Sequence, residues 1–159
     1  VRWVRKGTLI AFRLLPGWFS KWAVFWLKRK YVIGVVAVVV DEDGRFLFLH
    51  HTYRKKRAWR LPGGLKERRE NILTTVVREM KEEAGLVVRP LQILAVESAD
   101  ITLDVAVLCE VVEAQLFVAN DEIDDVCWLI PEDADFAISQ DQWQFIAAAR
   151  TALHRLRRG

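Results

Sequence analysis

The chain of 159 residues is poor in cysteine, with two, and holds four prolines and one methionine. Cys109 and Cys127 lie in apolar, strand-like runs (AVLCEVV and DVCWLI), with no C-x-x-C spacing, which excludes a disulfide scaffold and a paired-cysteine metal site. They read as buried free thiols, compatible with a reducing cytoplasm. Uninterrupted apolar runs of the roughly 18 residues that a membrane span requires are also missing, since Arg13, Pro16 and Lys21 break the stretch from Thr8 to Leu27. No small-residue cleavage site follows a compact apolar stretch, so the opening does not read as a secretory signal. Acid is absent from residues 1–30, which carry eight Lys or Arg; the rest of the chain holds sixteen basic against 21 acidic residues, or −5. The net charge of +3 therefore belongs to the N-terminus.

About half of the residues are apolar, enough for one domain to bury a core unaided. The run Tyr31 to Val40 (YVIGVVAVVV) is β-branched and long enough for a strand buried on both faces. Turn residues Asp41 to Gly44 and the alternating run Arg45 to His50 then predict a hairpin. A basic loop follows, from His51 to Arg60. Further strands are predicted near Leu91 to Val96, Ile101 to Val112 and Val126 to Ile130, and a final amphipathic helix over Gln140 to Arg157. Strands and helices interleave without a βαβ repeat, so the expected fold is α/β (α+β), a mixed β-sheet between helices.

The clearest helix runs from Asn71 to Ala84, with Ile72, Val76, Met80 and Ala84 four apart and Gly85 as its cap. With Ile72 at zero and about 100° per residue, the apolar side chains fill roughly 0° to 140°, while Glu79, Glu83 and Glu82 fall near roughly 340°, 20° and 280°. Three carboxylates crowd one edge of the buried face, where like charges repel. Lys81 points away, and Arg78 is expected to reach only one side. Glu83 projects between Ile72 and Val76, where an unpaired carboxylate carries a heavy desolvation cost. A hard divalent cation with oxygen ligands resolves the conflict, and Mg²⁺ suits it, with Mn²⁺ as the alternative. A solvated acidic helix partnered by Arg78 and Lys81 is the competing reading.

From Gly64, five residues lead to Glu70 and seven more to Arg78, followed by Glu79, Met80, Lys81, Glu82, Glu83, Ala84, Gly85 and Leu86. This resembles the complete Nudix box, G-x5-E-x7-R-E-U-x-E-E-x-G-U, with U aliphatic; a chance match is on the order of 10⁻⁹ per position. Trp59 to Gly64 (WRLPGG), and Glu122-Ile123 followed by Trp128, resemble flanking elements of the family. The resemblance covers about Tyr31 to Pro131 and departs at Arg69, where members often carry glycine, and at Thr75-Val76, where alanines are common.

The resemblance implies an α/β/α sandwich with a mixed β-sheet between helices; this domain is expected over residues 31–159, preceded by a basic, Trp-rich helical extension, residues 1–30. It implies Glu82 and Glu83 as principal metal ligands, Glu79 as a further ligand or as the base, and the Gly63 carbonyl as a donor. Glu70 would pair with Arg78, and Glu122 is the candidate downstream acid. The reaction expected is Mg²⁺-dependent hydrolysis of a diphosphate linkage in a nucleotide-sugar or ADP-ribose type compound. A nucleoside triphosphate pyrophosphohydrolase and a non-catalytic nucleotide-binding module are the alternatives. Arg54, Lys55, Lys56, Arg57 and Arg60 are candidates for holding the second phosphate and Tyr53 for stacking on a base or sugar; a solvated charge run is the bland reading. Of His50 and His51, which alternate in orientation, at most one faces a cleft, and a satisfied strand-edge histidine is favoured over a ligand.

In residues 1–30, Trp18, Trp22 and Trp26 recur every four residues among basic side chains. Packing of this stripe on the sheet or on a second subunit as a homodimer is the first reading; peripheral binding to an anionic membrane is the second. Nucleic-acid contact ranks last. The expected location is the cytoplasm or its membrane surface.

Overall fold

The β-branched run after Tyr31 forms β1, Val32–Val39. In the computed structural model, which describes residues 31–54, 58–99 and 101–158, β1 is followed by β2 (Phe46–His51), β3 (Trp59–Arg60) and β4 (Gly63–Leu65). Helix α1 (Ile72–Ala84), long strands β5 (Leu86–Ala99) and β6 (Thr102–Ala114), β7 (Ile123–Leu129), a 3-10 turn at Pro131–Asp133 and helix α2 (Gln140–Leu156) complete it. The expectations for residues 1–30 and for Lys55, Lys56 and Arg57 lie outside the described residues.

The strands make two sheets. One is mixed, in the order β4-β1-β6-β5, with β1 parallel to β6; the other is antiparallel, in the order β3-β2-β7. The expected hairpin of β1 and β2 is thereby corrected. Its turn exists: Gly44 has φ 82° and donates its N–H to the Asp41 carbonyl at 3.1 Å, and the Asp41 carboxylate accepts from the Arg45 N–H at 2.8 Å. Beyond the single bridge Val40 to Phe46 the strands part, because both edges of β1 are already taken by β4 and β6.

Alternation along the strands sorts the core into two layers. Val35, Ala37 and Val39 of β1, Leu47 and Leu49 of β2, and Val105 and Val107 of β6 pack with Val76, Met80 and Ala84 of α1. Their neighbours Val38, Phe46, Phe48, Ala106 and Leu108 pack with Phe145, Ile146 and Ala149 of α2. Each of the two described helices thus covers one side, and the described residues form an α+β sandwich.

Helix α1 begins where Asn71 accepts the Thr74 N–H at 2.9 Å and ends at Gly85, φ 65°, whose N–H bonds the Met80 carbonyl. Among the described residues no helix is long and apolar enough to cross a membrane.

Candidate active site

Strand β4 brings the residues before α1 against β1, pairing Val36 with Gly63 and Val35 with Gly64. Both glycines are required there. Gly63 has φ 155°, and a Cβ on it would run into the Val35 carbonyl oxygen. A Cβ on Gly64 would overlap the Glu79 carboxylate, which lies directly against its backbone.

Glu83 stands on the buried face of α1, 8% exposed, and one carboxylate oxygen accepts the Gly63 N–H at 3.0 Å. Burial pushes its pKa up to about 7; the Gly63 hydrogen bond opposes this, and the charges of Glu79, Glu122 and Glu82 reinforce it. Burial also raises the pKa of Glu79, opposed by Arg78.

Arg78 does more than expected. Its Nε and Nη2 bond the two oxygens of Glu70 at 3.0 and 3.2 Å, and Nη1 lies 2.9 Å from Glu79 and 3.0 Å from Glu82. A further bond, 3.2 Å to the Leu65 carbonyl, fastens it to β4. The expectation that Arg78 serves one side only is corrected, since its planar fork is wide enough to serve three carboxylates. Glu70 is held below the usual carboxylate range chiefly by its hydrogen bond with Arg78. Thr75, at a departure from the family pattern, donates its hydroxyl to Glu70 at 3.0 Å. At the other departure, Arg69 adopts φ 76°, so the loop keeps a left-handed turn that glycine would take without strain.

A hollow of about 310 Å³ is lined by Glu79, Glu82, Glu83, Asn120, Asp121 and Glu122. Asn120 shapes its far wall by accepting the N–H groups of Glu122 and Ile123 at 2.9 and 2.8 Å. Among the described residues no three acidic, His or Cys side chains converge as a ready cation cage. The reason lies in the pairs above: Arg78 draws Glu79 and Glu82 to itself, while Gly63 holds Glu83. The donor set still fits a hard cation, because five acidic residues line one hollow and Glu83 has no cationic partner among the described residues. Mg²⁺ needs only one or two carboxylates beside water and phosphate.

On the other side of Gly63-Gly64 opens a cleft of about 350 Å³ that takes in His51, Tyr53, Arg54 and Arg60. Tyr53 is 61% exposed, with the Arg54 guanidinium 5.6 Å from its ring centre. Arg60 is bound to Asp141 at 3.2 Å. His50 is satisfied, its Nδ1 meeting Asp124 at 2.5 Å, whereas His51 is buried in the cleft wall. Burial and the charges of Arg54 and Arg60 lower the His51 pKa to about 4, so it is neutral at pH 7.

Sequence reasoning passed over Asp104 and Gln142, which also line this cleft. Each left a signal: Asp104 is an acid inside the apolar run of β6, and Gln142 falls on the helical stripe of Phe145, Ile146 and Ala149.

Over 72 residues, 45% of this chain, the protein is 38% identical to the 8-oxo-dGDP phosphatase NUDT18 of Mus musculus, of which the match spans 22%. The first matches among curated relatives span a quarter or less of those proteins' lengths. Its fold is shared with a UDP-X diphosphatase, at TM-score 0.68 and 17% identity over 96% of this chain and 82% of that one. The ADP-ribose pyrophosphatase of Streptococcus suis 89-1591 aligns at TM-score 0.63 and 23% identity, over 75% of this chain and 92% of that one. The NUDIX domain model matches residues 30–149, and with the box on β4 and α1 in this fold, the chain belongs to the NUDIX family.

Proposed function

We propose that the protein hydrolyses a diphosphate linkage in a nucleoside diphosphate derivative of nucleotide-sugar or ADP-ribose type, with Mg²⁺ or Mn²⁺ as cofactor. The observation that carries this reading is Glu83, a buried carboxylate without a cationic partner among the described residues, sharing a hollow with four more acids beside a cleft with two arginines. Names borne by similar proteins, 8-oxo-dGDP phosphatase, ADP-ribose pyrophosphatase and UDP-X diphosphatase, support a diphosphate as the group attacked.

Glu82 and Glu83 would hold the cation, with Glu79 and the Gly63 carbonyl as further donors. When bound, a divalent cation neutralises phosphate charge and makes water more acidic. Glu79, fixed between Gly64 and Arg78, then accepts a proton from the attacking water. The water oxygen adds to one phosphorus, the bridging oxygen leaves on the other, and two phosphate esters result. Arg54 and Arg60 attract the phosphates, Tyr53 offers a flat face, and the Glu70–Arg78 pair keeps α1 in register with β4. Glu83→Gln, which keeps the acceptor for the Gly63 N–H, tests the reading: divalent-dependent turnover falls by at least about a hundredfold while circular dichroism is unchanged. Unchanged turnover would defeat it.

A further inference from the structure

Just past the end of β2, between His51 and Tyr53, stands Thr52, an exposed residue to which none of the roles above falls. Its hydroxyl donates to the Asp121 carbonyl at 2.6 Å and lies 3.3 Å from the Glu122 carbonyl, and its N–H donates to the Glu122 carbonyl at 2.9 Å. Both carbonyls belong to the far wall of the acidic hollow. From the other side the same turn is held by Asn120, whose Oδ1 accepts the N–H groups of Glu122 and Ile123 and whose own N–H donates to the Ile123 carbonyl at 2.8 Å. The main-chain N–H and C=O of Glu122 are therefore both engaged, which fixes the direction in which its side chain leaves the backbone.

The strand that follows is shaped to the same end. Strands β2 and β7 slip by one residue between His50, opposite Asp125, and His51, opposite Ile123, so Asp124 is left over as a bulge. Its carboxylate turns aside to His50 Nδ1 at 2.5 Å. The extra residue resets the alternation, and Ile123 and Val126, three apart, lie in the same core layer against α1. Glu122 lines the hollow ahead of the buried Ile123, and its charge acts on both Glu79 and Glu83.

An exposed turn gains little stability from such fastening, because water satisfies its carbonyls almost as well. What the bonds add is a fixed place for one carboxylate among others. Left free, Glu122 would swing into water, away from the like charges of Glu79, Glu82 and Glu83.

We propose that Thr52 is a positioning residue of the cation site: its bonds to the Asp121 and Glu122 carbonyls hold the Glu122 carboxylate in the hollow, so that a divalent cation meets a preformed set of oxygens. The inference deepens the proposed function and rests on its reading of the hollow as a cation site.

The test is titration of the whole chain with Mn²⁺ without nucleotide, free Mn²⁺ being counted by electron paramagnetic resonance, which needs no turnover. Thr52→Val keeps the shape and removes the hydroxyl; it is expected to raise the Mn²⁺ Kd about three- to tenfold, the worth of one hydrogen bond. Thr52→Ser restores the donor and is expected to bind as the wild type does. Glu122→Gln is expected to weaken binding by itself, and adding Thr52→Val to it to change nothing further, because the hydroxyl acts through that carboxylate. A structural role alone would lower the Tm of Thr52→Val without this dependence on Glu122. Wild-type affinity in Thr52→Val or in Glu122→Gln overturns the inference and leaves the proposed reaction standing. So does an equal loss from Thr52→Val with and without Glu122→Gln, or a Thr52→Ser protein as weak as Thr52→Val. Should Thr52→Val not fold, Thr52→Ala is read in the same way. No Mn²⁺ binding by the wild type at millimolar concentration defeats the cation reading of the hollow, and this inference falls with it.

Discussion

Burial acts in opposite senses on the two titratable groups that matter most here. The Glu83 carboxyl is pushed up to about 7 and the His51 imidazole down to about 4, each towards its neutral form. For His51 the folded pKa lies below the ordinary 6.5, so the unfolded chain binds the proton more readily. Its contribution is fully present above pH 6.5 and is lost as pH falls from there through about 4. Thermal melts of wild type and His51→Gln between pH 7 and 4 are expected to converge on the acid side, the variant losing less of its Tm; parallel curves would contradict this. Arg69 is a second isolated strain. Its left-handed φ costs about 1–2 kcal/mol, against about 0.4–1 kcal/mol of unfolded-chain entropy that glycine adds. The strain is the larger, so Arg69→Gly is expected to raise unfolding stability by about 0.5 kcal/mol in urea titration.

Helix α1 joins stability to chemistry, with Val76 and Met80 wholly buried on one face and Glu79, Glu82 and Glu83 along its edge. Met80→Ala is expected to cost about 2–5 kcal/mol in chemical denaturation, whereas Leu73→Ala, at a position 45% exposed, costs about 0.5 kcal/mol or less. This helix was legible in the sequence because its signals are local: Asn71 at the start, apolar residues every four and Gly85 at the end. The buried position of Glu83 followed from the same wheel. Strand partners were not legible, since the β1–β6 pairing that seats Asp104 over Gly34 joins residues seventy apart and the turn at Asp41 to Gly44 resembles that of a true hairpin. The fork of Arg78 escaped notice for a related reason. Two of its acceptors, Glu70 and the Leu65 carbonyl, precede α1 and meet it only once β4 has paired with β1.

Across the described residues the acidic hollow and the cleft with Arg54 and Arg60 meet along Gly63 and Gly64. The eight basic residues of 1–30 stand apart from this described site in the sequence, and the proposals for them, a homodimer contact or an anionic membrane surface, are separated by sedimentation with anionic vesicles at low and high salt. Salt-sensitive pelleting supports the membrane; a dimer in solution without pelleting supports packing. Hydrolysis of a diphosphate linkage is tested by identifying the products of the Mg²⁺-supplemented protein with GDP-sugar, ADP-ribose and nucleoside triphosphates. A nucleoside monophosphate and a second phosphate ester are expected from a diphosphate derivative, dependent on the cation and lost in Glu83→Gln. Nucleotide binding with no product over hours, or pyrophosphate release from triphosphates alone, would contradict it.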